Sequence, residues 1–236
     1  MRSGATWSRL LPWMTAYTIA IAFLESAVVI YLRELYYPVE FKFPVAPIAR
    51  HVAITELFRE LATMVMLLAP AAMVTTKRLE RFAWFCYCFG VWDIFYYVFL
   101  KAVLDWPASL LDWDILFLVP VVWVGPVLAP CLISIGLIAL GGILLEKRRS
   151  FPGYRPHRAH WMVLAVCGSI CLYTFIEEPL RFILRSGGNA SSVPAAGHLA
   201  LDQLRAYLPE HYSWGLFGLT CAGFIGTLLH LSRRKG

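Results

Sequence analysis

The segment from His51 to Pro70 has the sequence HVAITELFRELATMVMLLAP. Its length and its apolar second half are typical of a transmembrane helix, because about 20 apolar residues span the hydrocarbon core of a bilayer. Three charged residues nevertheless lie in its first half, Glu56, Arg59 and Glu60. Charges inside a membrane span are costly, and they mark a functional site or a buried network of ion pairs. The segment therefore predicts a membrane helix and the position of a polar site.

The composition of the whole chain extends this prediction. The chain has 236 residues, of which 59% are hydrophobic and 15% are charged. A soluble domain has roughly 45–50% apolar and about 25% charged residues. We therefore expect one integral membrane domain over residues 1–236, surrounded by the lipid bilayer. Membrane proteins or further copies of the chain are candidate partners. Nucleic acid is not, because the basic residues gather at the ends of the hydrophobic spans.

The hydrophobic pattern predicts an all-α bundle of six transmembrane helices. Their bounds are about 10–33, 55–76, 82–104, 113–145, 161–184 and 212–231. A short amphipathic helix over about 198–208 is expected along the outer interface. The other loops are short or rich in proline, glycine and serine, so no second domain is predicted.

The fourth span is unusually long. From Trp113 to Leu145 it would measure roughly 50 Å as one helix, whereas the hydrocarbon core is about 30 Å thick. Pro120, Pro126 and Pro130 interrupt its first half. A helix that is kinked, tilted or partly unwound is the first interpretation. A short re-entrant piece followed by a full span is the alternative.

The distribution of basic residues predicts the orientation. Of the 21 lysines and arginines, 13 fall on one side of the predicted spans: Arg2, Arg9, Lys77, Arg78, Arg81, Lys147, Arg148, Arg149, Arg155, Arg158, Arg233, Arg234 and Lys235. The positive-inside rule places this side, and with it both termini, in the cytoplasm. We expect the inner (plasma) membrane of a bacterium.

This orientation gives each charged residue inside a span a depth. Glu25, Glu60 and Asp93 fall near the bilayer centre or somewhat outside it, and the inner half of the bundle has almost no charge. Residues three or four apart share a helix face, which groups Glu56 with Glu60 and Asp93 with Tyr97. The predicted site faces outward and comprises Glu25, Glu56, Arg59, Glu60, Asp93 and Tyr97.

The charge balance of these residues indicates what the site binds. Four acids face one deep cation, Arg59, and a carboxylate at the centre of a membrane helix costs roughly 3 kcal/mol. Either some carboxyl groups are protonated or a cation joins them. We therefore expect a site for a cation, a proton or a small polar substrate, used for transport. A divalent metal is a further candidate, with Glu56, Glu60, Asp93 and His51 as ligands, because hard ions prefer oxygen.

Two other function classes stay open. The same acids could serve a membrane-embedded enzyme, metal-dependent or acid/base, that acts on a lipid or a quinone. The chain could also be a non-catalytic subunit of a larger membrane complex. Neither haem nor an iron–sulfur cluster is predicted. The sequence offers no pair of histidines at matched depth, and cysteines inside membrane spans usually behave as small apolar residues.

Overall fold

The computed structural model describes residues 4–37, 41–118, 121–186 and 207–233, and over these ranges the chain forms six long helices and one β-hairpin. The helices are α1 (Gly4–Tyr36), α2 (Arg50–Val74), α3 (Arg78–Leu104), α4 (Leu128–Ser150), α5 (Arg158–Ser186) and α6 (Trp214–Arg233). The hairpin consists of β1 (Trp113–Phe117) and β2 (Trp123–Pro126). All six helices are long and apolar enough to cross a membrane, which supports the prediction of an integral membrane helical bundle.

The predicted fourth helix is wrong in its first half. Residues 113–117 and 123–126 pair as antiparallel strands, with Trp113 opposite Pro126, and α4 begins only at Leu128. The sequence of this part, WDILF and WVGP, is rich in aromatic and β-branched residues, which fit strands. Pro130 lies in the first turn of α4, where its missing N–H breaks no helical hydrogen bond. Instead of one kinked helix, a β-hairpin precedes a helix that is long and apolar enough to span a membrane.

The other predicted helices are present, with ends that differ by a few residues. α1 begins at Gly4 and contains Pro12, and α2 begins at Arg50. The amphipathic helix expected over 198–208 lies outside the described residues, apart from Tyr207 and Leu208, which are not helical. The expected helical bundle is therefore present, and the largest revision concerns residues 113–127.

The centre of the bundle is the close packing of α3 against α4. A Cβ atom added at Gly90 of α3 would lie 2.4 Å from the backbone oxygen of Ser134 on α4. One added at Gly141 of α4 would lie 2.6 Å from the backbone oxygen of Ala83 on α3. Small residues at such positions allow membrane helices to approach closely. This contact fixes Ser134 relative to α3.

The hairpin descends into the bundle from the end where α1 stops and α2 starts. The backbone N–H of Leu118, just past β1, donates to both carboxylate oxygens of Glu60 at 3.1 and 2.9 Å. Glu60 is ten residues from Arg50, the first residue of α2, which is about 15 Å along the helix axis. The end of β1 therefore lies beside α2 about three turns from its first residue.

Candidate functional site

All six residues of the predicted site line one cavity of about 240 Å³. The cavity is bounded by the later parts of α1, α3 and α5, by the early parts of α2 and α4, and by the hairpin. Because the later parts of α1, α3 and α5 meet the early parts of α2 and α4 at the cavity, successive helices run in opposite directions. The cavity therefore lies toward the end of the bundle that is remote from the start of α1 and the end of α6.

Arg59 forms ion pairs with two of the acids. Its guanidinium group forms an ion pair with Glu25 of α1 and a second one with Glu56, with Nη2 at 2.6 Å and Nε at 2.8 Å from Oε2. The hydroxyl of Thr63 donates to the other oxygen of Glu25 at 2.8 Å. Only the Glu56–Arg59 contact is local in sequence. Glu25 thus links α1 to α2 through Arg59.

Glu60 has a different role from its neighbour Glu56. Its side chain is buried, and it accepts the Leu118 N–H described above. A backbone donor that leaves regular secondary structure inside a membrane needs an acceptor from the protein. Glu60 therefore links the end of β1 to α2, a contact that no sequence pattern indicated.

Asp93 is the most isolated acid of the cavity. It is 8% exposed and accepts a hydrogen bond from the Ser134 hydroxyl at 2.8 Å. None of the ion pairs in the described part of the chain includes Asp93. A buried carboxylate with a single neutral donor is costly. Asp93 is therefore the position where a positive charge would add most to the electrostatic stability of the cavity.

A further ion pair of the cavity was missed by the sequence analysis. Arg33, at the end of α1, contacts Asp114 of β1 at 3.0 Å, and both side chains are buried and line the cavity. The Tyr97 hydroxyl donates to the other oxygen of Asp114 at 3.2 Å. Tyr97 thus serves Asp114 and not Asp93, although it shares a helix with Asp93. No local spacing signalled this pair, because the two residues are 81 positions apart in sequence.

The guanidinium group of Arg33 also lies over two aromatic rings. Its central carbon is 4.3 Å from the ring centre of Phe41 and 3.7 Å from that of Trp106. Aromatic faces attract cations most strongly where water is excluded. Arg33 is therefore held by two rings and a carboxylate together.

Aromatic side chains connect the elements on the far side of the cavity. Trp92 of α3 lies 6.2 Å from Phe117 of β1, measured between ring centres, and Phe117 lies 5.2 Å from Trp123 of β2. Trp123 in turn stacks on Phe175 of α5 at 6.4 Å, with the rings 5° from parallel. With Tyr96, these residues form what we call the aromatic wall: Trp92, Tyr96, Phe117, Trp123 and Phe175, all of which line the cavity.

Tyr37, just after α1, lies at the mouth of the cavity. Its hydroxyl oxygen accepts the backbone N–H of Ala46 at 2.7 Å. Burial raises the pKa of the Tyr37 phenol, and the hydrogen bond from Ala46 acts in the opposite direction without cancelling the effect. The phenol is therefore neutral at physiological pH and adds no charge to the site.

The four candidate metal ligands do not come together. His51 is exposed in the first turn of α2 and does not line the cavity, and Glu56 is engaged by Arg59. Among the described residues, no group of three or more histidine, cysteine, aspartate or glutamate side chains could hold a metal ion. The arrangement therefore gives the metal hypothesis no support.

The cavity carries an excess of acid. Five carboxyl groups line it, those of Glu25, Glu56, Glu60, Asp93 and Asp114, against the two guanidinium groups of Arg33 and Arg59.

Comparison of the chain with protein-family models, with curated proteins and with solved structures found no match.

Proposed function

We propose that this chain is a small membrane transporter that binds a cationic solute, or a proton, in the cavity and carries it across the bilayer. The observation that carries the proposal is the excess of five carboxyl groups over two guanidinium groups in a cavity of the helical bundle. In a medium of low dielectric constant, such an excess favours either protonation or the entry of a positive charge.

The pairing of the acids supports one binding position. Arg59 pairs with both Glu25 and Glu56, and Arg33 pairs with Asp114. Asp93 has only the Ser134 hydroxyl as a hydrogen-bond donor. The solute therefore binds with its positive charge beside Asp93. The ion pairs of Arg33 and Arg59 determine the electrostatic field around it.

The position of the hairpin agrees with transport. Non-helical backbone at membrane depth is tolerated where it is enclosed by protein or lines a cavity. Many transporters use interrupted elements of this kind near the middle of the membrane for substrate binding. Here the hairpin lines the cavity and is fastened to α2 by Glu60. With the termini in the cytoplasm, as the basic residues predict, the cavity accepts its solute from the other side.

Charge movement across vesicles tests the proposal. We expect purified protein in liposomes on a solid-supported membrane to give a transient current after a jump in the concentration of protons, Na⁺, K⁺, Mg²⁺ or tetramethylammonium. Asp93→Asn should abolish the current, because it removes the charge and keeps an acceptor for Ser134. The matched control is Asp105→Asn, which changes an exposed acid at the end of the same helix.

Two results would contradict transport. One is a wild-type protein that is folded in the vesicles and gives no current with any of the five cations. The other is an Asp93→Asn protein whose current equals that of wild type. A current that is lost in Asp93→Asn and kept in Asp105→Asn supports the proposal.

A further inference from the structure

We infer that the cavity accepts a small organic ammonium ion that carries an oxygen acceptor, and not a metal ion. This inference rests on the proposed function and names the class of solute. It comes from the side chains that surround Asp93, from the way the protein holds its own buried cation, Arg33, and from the donors that lack partners in the aromatic wall.

The surroundings of Asp93 suit an organic cation better than a metal ion. Mg²⁺ needs six oxygen ligands and Ca²⁺ six to eight, whereas Asp93 has one hydroxyl beside it, that of Ser134. The rest of its helix toward the cavity is aromatic: Trp92 lies 5.4 Å from Phe89 and 6.3 Å from Tyr96 between ring centres. Rings give a metal ion no ligands, but they attract ammonium groups, and quaternary ammonium ions are often bound in aromatic cages.

Arg33 shows that a buried organic cation is stable in this cavity. Its guanidinium group has a carboxylate at 3.0 Å and two aromatic ring centres within 4.3 Å. Asp93 and the aromatic wall supply the same two components, a buried carboxylate and rings that line the same cavity. In the described part of the chain they lack the cation. An ammonium ion from outside completes the second arrangement.

Two further features restrict the solute. The cavity of about 240 Å³ is smaller than the roughly 300–1,000 Å³ usual for drug-sized ligands, so the solute is small. The indole nitrogens of Trp92 and Trp123 are buried and have no hydrogen-bond partner among the described residues. Buried donors are normally satisfied. A hydroxyl or carbonyl oxygen on the solute would accept one of them.

Binding to the purified full chain in detergent tests the inference. The probes are choline, tetramethylammonium, NaCl, MgCl₂ and 3,3-dimethylbutan-1-ol, the uncharged carbon analogue of choline. Binding is measured by calorimetry and by tryptophan fluorescence. We expect choline to bind more tightly than tetramethylammonium, and the uncharged analogue to bind at least tenfold more weakly than choline. Na⁺ and Mg²⁺ at matched ionic strength should not displace choline.

Variants separate the two components of the site. Asp93→Asn should weaken choline binding at least tenfold. Trp92→Leu should weaken it as well, whereas Trp92→Phe, which keeps a ring, should retain most of the affinity for tetramethylammonium and lose the preference for choline. The controls are Asp105→Asn and Phe85→Leu, since neither residue lines the cavity. Each variant is compared with wild type by gel filtration and thermal melting before use.

The outcomes distinguish this inference from the transport proposal. The uncharged analogue binding as tightly as choline, or Asp93→Asn keeping full affinity, would overturn the inference. Currents with Na⁺ or Mg²⁺ without ammonium binding would also overturn it and leave transport standing. Choline binding that depends on Asp93, without any current, would support the ammonium site and refute transport.

Discussion

Arg59 and Asp93 line the same cavity, but their electrostatic surroundings are opposite. Arg59 has two carboxylates within ion-pair distance, from α1 and from its own helix. Asp93 has one neutral donor. A buried ion pair contributes little net stability compared with apolar packing, but the removal of one partner is expensive because a buried charge stays behind. The two residues should therefore respond differently to substitution.

Replacement of Arg59 by glutamine should destabilise the protein strongly. Glu25 and Glu56 would remain buried without their cation, which costs roughly 3–5 kcal/mol in known buried pairs. We expect a corresponding loss in the free energy of unfolding, measured by titration of the detergent-solubilised protein with sodium dodecyl sulfate. Asp93→Asn should not destabilise the protein, since it removes an uncompensated charge.

Arg149→Gln is the matched control for Arg59→Gln. Arg149 pairs with Glu146 at 3.7 Å with the same spacing of three residues as Glu56 and Arg59, but both side chains are largely exposed. Exposed pairs contribute about 0–1 kcal/mol. Equal effects of the two substitutions would show that Arg59 is not the buried centre of an ion-pair cluster.

The sequence could predict these residues only where the pattern is local. Glu56 and Arg59 lie three residues apart, so their contact follows from helical spacing, and the cost of charge in a membrane identified Glu25 and Asp93 as inward-facing. Arg33 and Asp114 are 81 residues apart, and their pairing depends on the hairpin, which the helical interpretation of residues 113–126 excluded. Because the hairpin was not predicted, Tyr97 was grouped with Asp93 on the same helix and not with Asp114.

At the level of elements, the packing of α3 on α4 and the hairpin determine the shape of the cavity. Ser134, which holds Asp93, is also the residue whose backbone oxygen lies opposite Gly90. The separation of the two helices therefore sets the position of the Asp93 carboxylate. A change in the packing of α3 on α4 should therefore move the Asp93 carboxylate through its hydrogen bond with Ser134.

Gly90→Ala tests that coupling. The added methyl group would lie 2.4 Å from the backbone oxygen of Ser134 and 2.8 Å from the Ile138 side chain. Because the backbone cannot rotate away, α3 and α4 must separate, at a cost of about 1–3 kcal/mol. We expect a lower melting temperature and a weaker response to cations in the current assay. Gly142→Ala on α4 is the control, because nothing lies within 4 Å of its added Cβ. That variant should be neutral or more stable by about 0.5–1 kcal/mol. A harmless Gly90→Ala would contradict this view of the helix contact.

The hairpin could not be predicted because a short apolar run fits a strand and a buried helix equally well. Length decided for a helix, since residues 113–145 form one apolar stretch. What favours strands is a partner remote in sequence, Glu60, together with the ring contacts of Trp123 to Phe117 and Phe175. Such information is not contained in the periodicity of the segment itself.

At the scale of the whole molecule, the two ends of the bundle differ in charge. The end that is remote from the cavity carries most of the basic residues, and some of them join helices there. Arg148 of α4 pairs with Glu80 of α3 at 3.3 Å, and Lys147 donates to the backbone oxygen of Ser232 on α6 at 2.8 Å. The cavity and this basic end are on opposite sides of the bundle. With the basic end in the cytoplasm, as the positive-inside rule predicts, the cavity would face outward.

Labelling of introduced cysteines tests this orientation. Ser109 and Ser150 are exposed at the cavity end and at the basic end. We expect a membrane-impermeant maleimide to label Ser109→Cys in intact cells, and Ser150→Cys only after permeabilisation. The wild-type chain, whose six free cysteines lie within the helices, supplies the background. The reverse pattern would place the termini outside and turn the cavity toward the cytoplasm.

The hairpin also constrains the order in which the molecule can be made. The outer edges of two paired strands carry polar backbone groups that cannot face lipid. β2 is covered by α5, where a Cβ at Gly125 would lie 2.7 Å from the Phe175 ring. The ribosome produces both strands before α5, so we expect the hairpin to stay in an aqueous or protein-lined environment until that helix is inserted. The cavity would then be completed late in biogenesis, when Phe175 of α5 joins its lining.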